Sequence, residues 1–111
     1  MSKRSNSILI EDILESAYKI VKYTEGRSYQ EFEDDDKTID AVIRNFKIIG
    51  EAANRLTDDF KDIYSTIDWH KIRGFRNRIV HDYAGVDLGI VWMILKEFLP
   101  KMIIEIENIK L

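Results

Sequence analysis

The chain contains no cysteine, one proline and five glycines among its 111 residues. The lack of cysteine excludes disulfide frameworks, zinc sites built on thiolates and cysteine nucleophiles. Average usage would give about eight glycines and five or six prolines in a chain of this length. Because strands and tight turns depend on glycine and proline, their scarcity favours long helices.

The sequence also lacks a long hydrophobic run. Its longest apolar stretch, around residues 89–95, is far shorter than the ~20 residues that cross a bilayer. After the basic start, the apolar run at residues 8–10 ends at two acidic residues. This run is too short for the hydrophobic core of a signal peptide. We therefore expect a cytoplasmic protein without a membrane partner. A net charge of −3 argues against a general nucleic-acid coat protein and leaves room for a local basic patch.

Hydrophobic residues make up 45% of the chain and charged residues 33%, as in soluble globular proteins. The length fits one domain, residues 1–111. Apolar residues recur at helical spacing in four stretches, with suitable capping residues before each. These stretches are residues 10–24 after Ser5 or Ser7, 39–56 after Asp36, 69–79 after Asp68, and 91–98 after Asp87. We predict an all-α fold, an antiparallel up-and-down bundle of four main helices, with Pro100 interrupting the fourth.

An acidic run at residues 31–36 lies between the first two predicted helices. It lacks the turn glycine and the alternating ligand spacing of a calcium loop. A solvated loop that places negative charge at the start of the next helix is therefore the favoured interpretation, and no metal site is predicted.

One segment differs from the acidic average of the chain. Residues 70–83 contain both histidines and the cations Lys71, Arg73, Arg76 and Arg78, opposed only by Asp82. Composition alone would favour a solvated basic helix face.

The order of residue types within this segment is more specific. Arg76, His81 and Tyr83 form an Arg-x4-His-x-Tyr pattern. In a chain of this composition, chance would produce the pattern in fewer than about one sequence in a hundred. In a regular helix Arg76 would lie about 140° from His81. Three arrangements could still bring them together: the helix ends near His81, the long arginine side chain bridges the gap, or two copies of the motif face each other across a dimer axis.

At these residues the sequence resembles the HepT-like family of the all-helical HEPN superfamily. The similar segments are 41–45 running into Ile-Ile-Gly-Glu-Ala at 48–52, then Trp69, the motif at 76–83, residues 85–88 and Trp92. The resemblance implies a homodimeric toxin of a two-gene toxin–antitoxin system, with a minimal nucleotidyltransferase as antitoxin. It also implies a metal-independent endoribonuclease that acts on RNA without a cofactor.

The resemblance assigns roles to individual residues. Arg76 and His81 become the ribonuclease pair at the dimer interface, and Asn77 becomes the polar neighbour that supports them. Tyr83 becomes the residue to which the antitoxin adds AMP, which silences the toxin.

The chemistry of these side chains fits such roles. RNA cleavage without a metal needs a group that titrates near neutrality to move protons, and imidazole has a pKa of about 6.5. A guanidinium binds the charge that develops on the phosphoryl oxygens. Since each chain offers one His81, a two-fold interface would supply the second acid–base group.

Further residues are weaker candidates. Lys71, Arg73 and Arg78 are expected to hold RNA phosphates without reading base sequence. Glu51 is expected to orient an arginine of the third helix, since a buried carboxylate needs a partner. His70 could be the partner acid, although a surface or capping role is favoured, and Trp69 and Trp92 are expected to serve in packing.

Two alternatives remain open at this stage. The chain could be a non-catalytic nucleotide-binding or scaffold subunit that partners a nucleotidyltransferase. It could also be a helical dimerisation domain whose basic helix is only a solvated face.

Overall fold

The computed structural model describes residues 5–80 and 87–109, and for residues 76, 77, 79 and 80 it describes the backbone alone. The described part contains helices and no β-strand, which confirms the predicted all-α class. The α-helices are α1 (Asn6–Thr24), α2 (Tyr29–Glu33), α3 (Asp36–Arg55), α4 (Asp58–Ile63), α5 (Trp69–Val80), α6 (Leu88–Met93) and α7 (Leu99–Glu107). A π-helical turn, Ile94–Phe98, joins α6 to α7 into one continuous helical segment. The four main helices of the prediction correspond to α1, α3, α5 and this continuous segment.

Helix α1 begins where the sequence offered two caps. The Ser5 side chain, and not that of Ser7, accepts a hydrogen bond from the backbone N–H of Ile8 at 3.2 Å. After Thr24 the chain turns through Gly26, whose φ of +73° is a left-handed conformation that favours glycine.

Helices α1 and α3 pack antiparallel. Asn6, the first residue of α1, exchanges two hydrogen bonds of 3.1 Å with Thr57, which follows the end of α3. Near the opposite ends of the two helices, Arg27 pairs with Asp35 at 2.6 Å. Since each connection joins the start of one helix to the end of the other, the two axes must run in opposite directions.

The acidic run at residues 31–36 is more structured than the predicted solvated loop. Ser28 and Glu31 form a capping box that starts the short helix α2. Phe32 is fully buried in the middle of the acidic residues, with its ring centroid 5.2 Å from that of Trp92. The solvated-loop prediction is therefore wrong for residues 31–33, because one buried aromatic ring fixes this part of α2 to the core. The cap of α3 is Asp35, one residue before the predicted Asp36.

Pro100 does not break the last helix. The N–H of Leu99 donates to the carbonyl of Ile94, five residues back, and this wider turn lies directly before the proline. A proline in a helix clashes with the carbonyl four residues earlier and offers no N–H of its own. The π-helical turn accommodates both effects, so the helical path continues to Glu107.

A series of aromatic rings leads from the core to the surface beside α5. The ring centroids of Phe46 and Phe75 lie 5.4 Å apart, and those of Phe75 and Phe98 lie 5.2 Å apart, both edge to face. Such pairs contribute about 0.5–1.5 kcal/mol each beyond the burial of their area. They fix α5 between α3 and the π-helical turn, which positions the face of α5 described next.

Candidate functional site

Helix α5 carries the basic segment and is anchored on one side. Asp68 precedes it and accepts a hydrogen bond from the N–H of Lys71 at 2.9 Å, as the sequence predicted. Trp69, Ile72 and Phe75 are buried on the side that faces the core. The opposite side of the helix is therefore presented to solvent.

All three predicted phosphate-binding cations, Lys71, Arg73 and Arg78, are exposed on α5. The helix contains no acidic residue that could neutralise them. At 100° per residue, Lys71 and Arg78 lie within about 20° of each other, whereas Arg73 lies about 160° from Lys71. The structure thus brings two of the three cations into one stripe and separates the third.

Lys71 contacts the aromatic series. Its Nζ lies 4.5 Å from the ring centroid of Phe98, within the range of a cation–π interaction. The ammonium is therefore held at the boundary between α5 and the π-helical turn.

His70 and Arg73 form a separate pair at the start of α5. Arg73 Nη2 lies 3.3 Å from His70 Nδ1, and both side chains are exposed. His70 lies about 15 Å along the helix axis from Val80. This position agrees with the surface role that the sequence analysis favoured for His70.

The proposed catalytic motif begins in the last two turns of α5. Arg76 and Asn77 belong to the helix, but their side chains lie outside the described residues, as do His81 and Tyr83 entirely. Their mutual geometry, and the choice among the three arrangements considered above, therefore stay predictions.

Helix α2 packs beside α6, the first helix after the motif. Asp87, the first described residue after the motif, caps α6 by accepting from the N–H groups of Gly89 and Ile90. The half-buried ring of Tyr29 lies 5.8 Å from that of Trp92. Burial raises the pKa of Tyr29, as do a hydrogen bond to Glu33 and the nearby charge of Asp87. Glu33 of α2 and Asp87 at the start of α6 thus both lie close to Tyr29.

Trp69 and Trp92 both serve in packing, as expected. The Trp69 indole donates to the carbonyl of Tyr64 at 3.1 Å, and its side chain is buried. Trp92 is covered by Phe32 and by the ammonium of Lys96, whose Nζ lies 4.8 Å from its ring centroid. Neither indole is free to act as a platform for base stacking.

Glu51 lies on the side of α3 that faces α1. It is half-buried in a cleft between α1 and α3 whose lining includes Ser16, Lys19 and Arg55. Its predicted pairing with an arginine of α5 stays a prediction.

Across residues 5–80 and 87–109, no three histidine, aspartate or glutamate side chains cluster so that they could hold a metal ion. Within the same ranges, no helix is long and apolar enough to cross a membrane.

The described residues form an all-helical bundle. One of its helices, α5, exposes several cations and contains no acidic residue. Comparison with known proteins identifies the family: residues 13–109 match the family described as Ribonuclease HepT-like. The chain belongs to this family, which confirms the resemblance drawn from the sequence.

Several relatives cover nearly the whole chain. A protein of Methanocaldococcus jannaschii provisionally named an RNase is 38% identical over 96% of this chain and 98% of its own. A protein of Thermococcus cleftensis provisionally named ribonuclease HepT is 37% identical over 90% of this chain and 91% of its own. A second provisionally named RNase of M. jannaschii is 36% identical over 98% of this chain and 90% of its own. No solved structure matches the chain.

Proposed function

We propose that the protein is a metal-independent endoribonuclease, the toxin of a toxin–antitoxin pair with a minimal nucleotidyltransferase. The observation that carries the proposal is the position of the motif: Arg76 and Asn77 continue a helix whose exposed cations attract a polyanion. The membership of the ribonuclease HepT-like family and the names of its relatives support RNA as the substrate.

The proposed reaction is transfer of the phosphoryl group to the adjacent 2′-oxygen. The 2′-hydroxyl loses its proton as its oxygen attacks phosphorus, and the 5′-oxygen leaves and gains a proton. The products are a 2′,3′-cyclic phosphate and a 5′-hydroxyl end. Neutral imidazole of His81 accepts the first proton, and a protonated imidazole donates the second.

Arg76 binds the non-bridging oxygens, where negative charge accumulates as the 2′-oxygen attacks. Asn77 supports this group as a polar neighbour. Because one His81 cannot be both neutral and protonated in the same step, the active enzyme is a homodimer in which two motifs face each other. Lys71, Arg73 and Arg78 hold the flanking phosphates, and Glu51 has a supporting role in orienting an arginine.

Silencing follows from the position of Tyr83 two residues after His81. AMP attached to its hydroxyl would add a phosphate and a nucleoside beside the imidazole. The added negative charge would repel the RNA backbone, and the nucleoside would fill the space that the substrate needs.

The test is co-expression of the chain with a nucleotidyltransferase encoded beside its gene. We expect wild-type chain to gain the mass of AMP less water and to lose RNase activity. Tyr83→Phe should gain no mass and should stay active and toxic in the same cells. Modification of Tyr83→Phe, or full activity of the modified wild type, would contradict this regulation.

A further inference from the structure

Gly74 occupies the middle of α5 without a structural reason within the described chain. Among the described residues only Gly26 has a positive φ, so the backbone at Gly74 is one that any residue adopts. Apart from its two chain neighbours and the backbone of α5 itself, no described atom lies within 4 Å of the position that a Cβ would take there. Since glycine in a helix interior destabilises the helix relative to alanine, neither the backbone nor the described packing explains this residue.

The place of Gly74 on the helix is informative. It lies between Lys71 and Arg78, and the three residues fall within about 60° of the circumference of α5. The two cations are about 10.5 Å apart along the axis, and the half-buried Gly74, which carries no side chain, lies between them. We call these three residues the glycine stripe.

The charge of the helix indicates what approaches it. A second copy packing its own glycine stripe on this one by two-fold symmetry would place Lys71 and Arg78 against the same two cations, with no acidic residue of α5 to offset them. A nucleic-acid backbone would instead neutralise the same side chains and release counterions.

We propose that an RNA strand runs along the glycine stripe, with its backbone crossing directly over Gly74 between phosphates held by Lys71 and Arg78. The inference rests on the proposed function and extends it, because it fixes the path of the substrate outside the catalytic motif. A side chain at position 74 would hold the strand away from both cations at once.

Phe98 is a positioning residue for this path. Its ring is fixed edge to face by Phe75 and holds the ammonium of Lys71 at one margin of the stripe. A fixed ammonium loses less side-chain entropy on binding a phosphate than a free lysine does.

The test measures the affinity of the full chain for a single-stranded oligoribonucleotide at several salt concentrations. The variants Gly74→Ala and Gly74→Leu are made in a His81→Ala background so that the RNA stays intact. We expect Gly74→Ala to weaken binding about threefold and Gly74→Leu at least about tenfold. The melting temperature of Gly74→Ala should rise by a few degrees, which shows that the loss is not unfolding.

Salt dependence tests whether the strand loses both cations together. Gly74→Leu should lower the salt slope of the parent by about 1.4, because it holds the strand away from Lys71 and Arg78, whereas Lys71→Ala should lower it by about 0.7, the value for one phosphate contact on a single strand. Phe98→Leu should weaken binding in the parent and have little further effect on Lys71→Ala. Asn54→Leu, which adds a leucine to the exposed face of α3, is the matched control and should bind like the parent.

Parent-like affinity of Gly74→Leu would overturn the inference while leaving the proposed function intact. A change in oligomeric state of Gly74→Leu at unchanged RNA affinity would also overturn it, because a second copy would then occupy the stripe. Failure of wild-type chain both to bind and to cut RNA would overturn the proposed function together with this inference.

Discussion

At the scale of single residues, Asp35 is the most strongly perturbed carboxyl group of the described chain. One of its oxygens accepts from the N–H of Thr38 at 3.1 Å, and the other accepts from the Thr38 hydroxyl at 2.7 Å. Arg27 donates to the same carboxylate at 2.6 Å. These hydrogen bonds, chiefly those from Thr38, lower the pKa of Asp35 from 3.8 to about 2.

The first prediction concerns the pH dependence of stability. Because the folded pKa of Asp35 lies below its unfolded value, the carboxylate stabilises the fold fully above about pH 4–5 and loses this effect as the pH falls towards 2. Asp35→Ala should therefore lower the urea midpoint at pH 7, and its difference from wild type should shrink below pH 4. Asp35→Asn, which keeps a capping side chain, should lose less.

Asp62→Ala on the exposed surface of α4 is the control and should differ little from wild type at any pH. An Asp35→Ala deficit that stays constant from pH 7 to pH 2.5 would contradict the assigned pKa. The sequence predicted the cap one residue later, at Asp36, and did not indicate its strength, because Arg27 and Thr38 reach the Asp35 carboxylate only once the turn between α1 and α3 has formed.

At the scale of secondary-structure elements, the short helix α2 shows where periodicity fails. Five residues are too few to display a helical repeat, and the acidic run around Phe32 has the composition of a solvated loop. The capping pair Ser28 and Glu31 is a local signal that could have revealed the helix start. Burial of Phe32 against Trp92 depends on a contact sixty residues away in sequence, which no local pattern reports.

The second prediction tests this anchoring. Phe32→Ala should destabilise the protein by about 3–5 kcal/mol, because it removes a fully buried ring and leaves a cavity beside Trp92. Gln30→Ala, on the exposed side of the same helix, should change stability by less than about 0.5 kcal/mol. Urea denaturation measures both. A loss below about 1 kcal/mol for Phe32→Ala would mean that α2 does not fix this part of the core.

The long helices, in contrast, could be predicted from the sequence because each buries one apolar stripe against the others. Capping residues Ser5, Asp68 and Asp87 set their starts as expected. Pro100 predicted an interruption, and the π-helical turn removes it by a change of hydrogen-bond register that composition does not encode. Gly74 offered a signal as well, a helix-breaking residue in the middle of a periodic stretch, but interpreting it requires knowing that no described side chain packs against its position.

At the scale of the whole molecule, the proposed ribonuclease mechanism depends on two copies of one motif, one from each chain of a dimer. The described part of each chain offers an anchored cationic helix, and the family membership supports an RNA substrate. Arg76, His81 and Tyr83 were identified from their spacing, and that spacing cannot decide how they meet because one regular helix points Arg76 and His81 in different directions. The proposed dimer resolves this conflict and also supplies the second imidazole.

RNA cleavage by purified chain in buffer containing a chelator, with wild type beside His81→Ala, decides whether the protein is a metal-independent ribonuclease. Wild type should cut and leave 2′,3′-cyclic phosphate ends, and His81→Ala, purified identically, should be slower by at least about a hundredfold. Circular dichroism checks that the variant keeps its helices. Equal cleavage by both proteins, or wild-type activity that the chelator abolishes, would contradict a metal-independent ribonuclease built on His81.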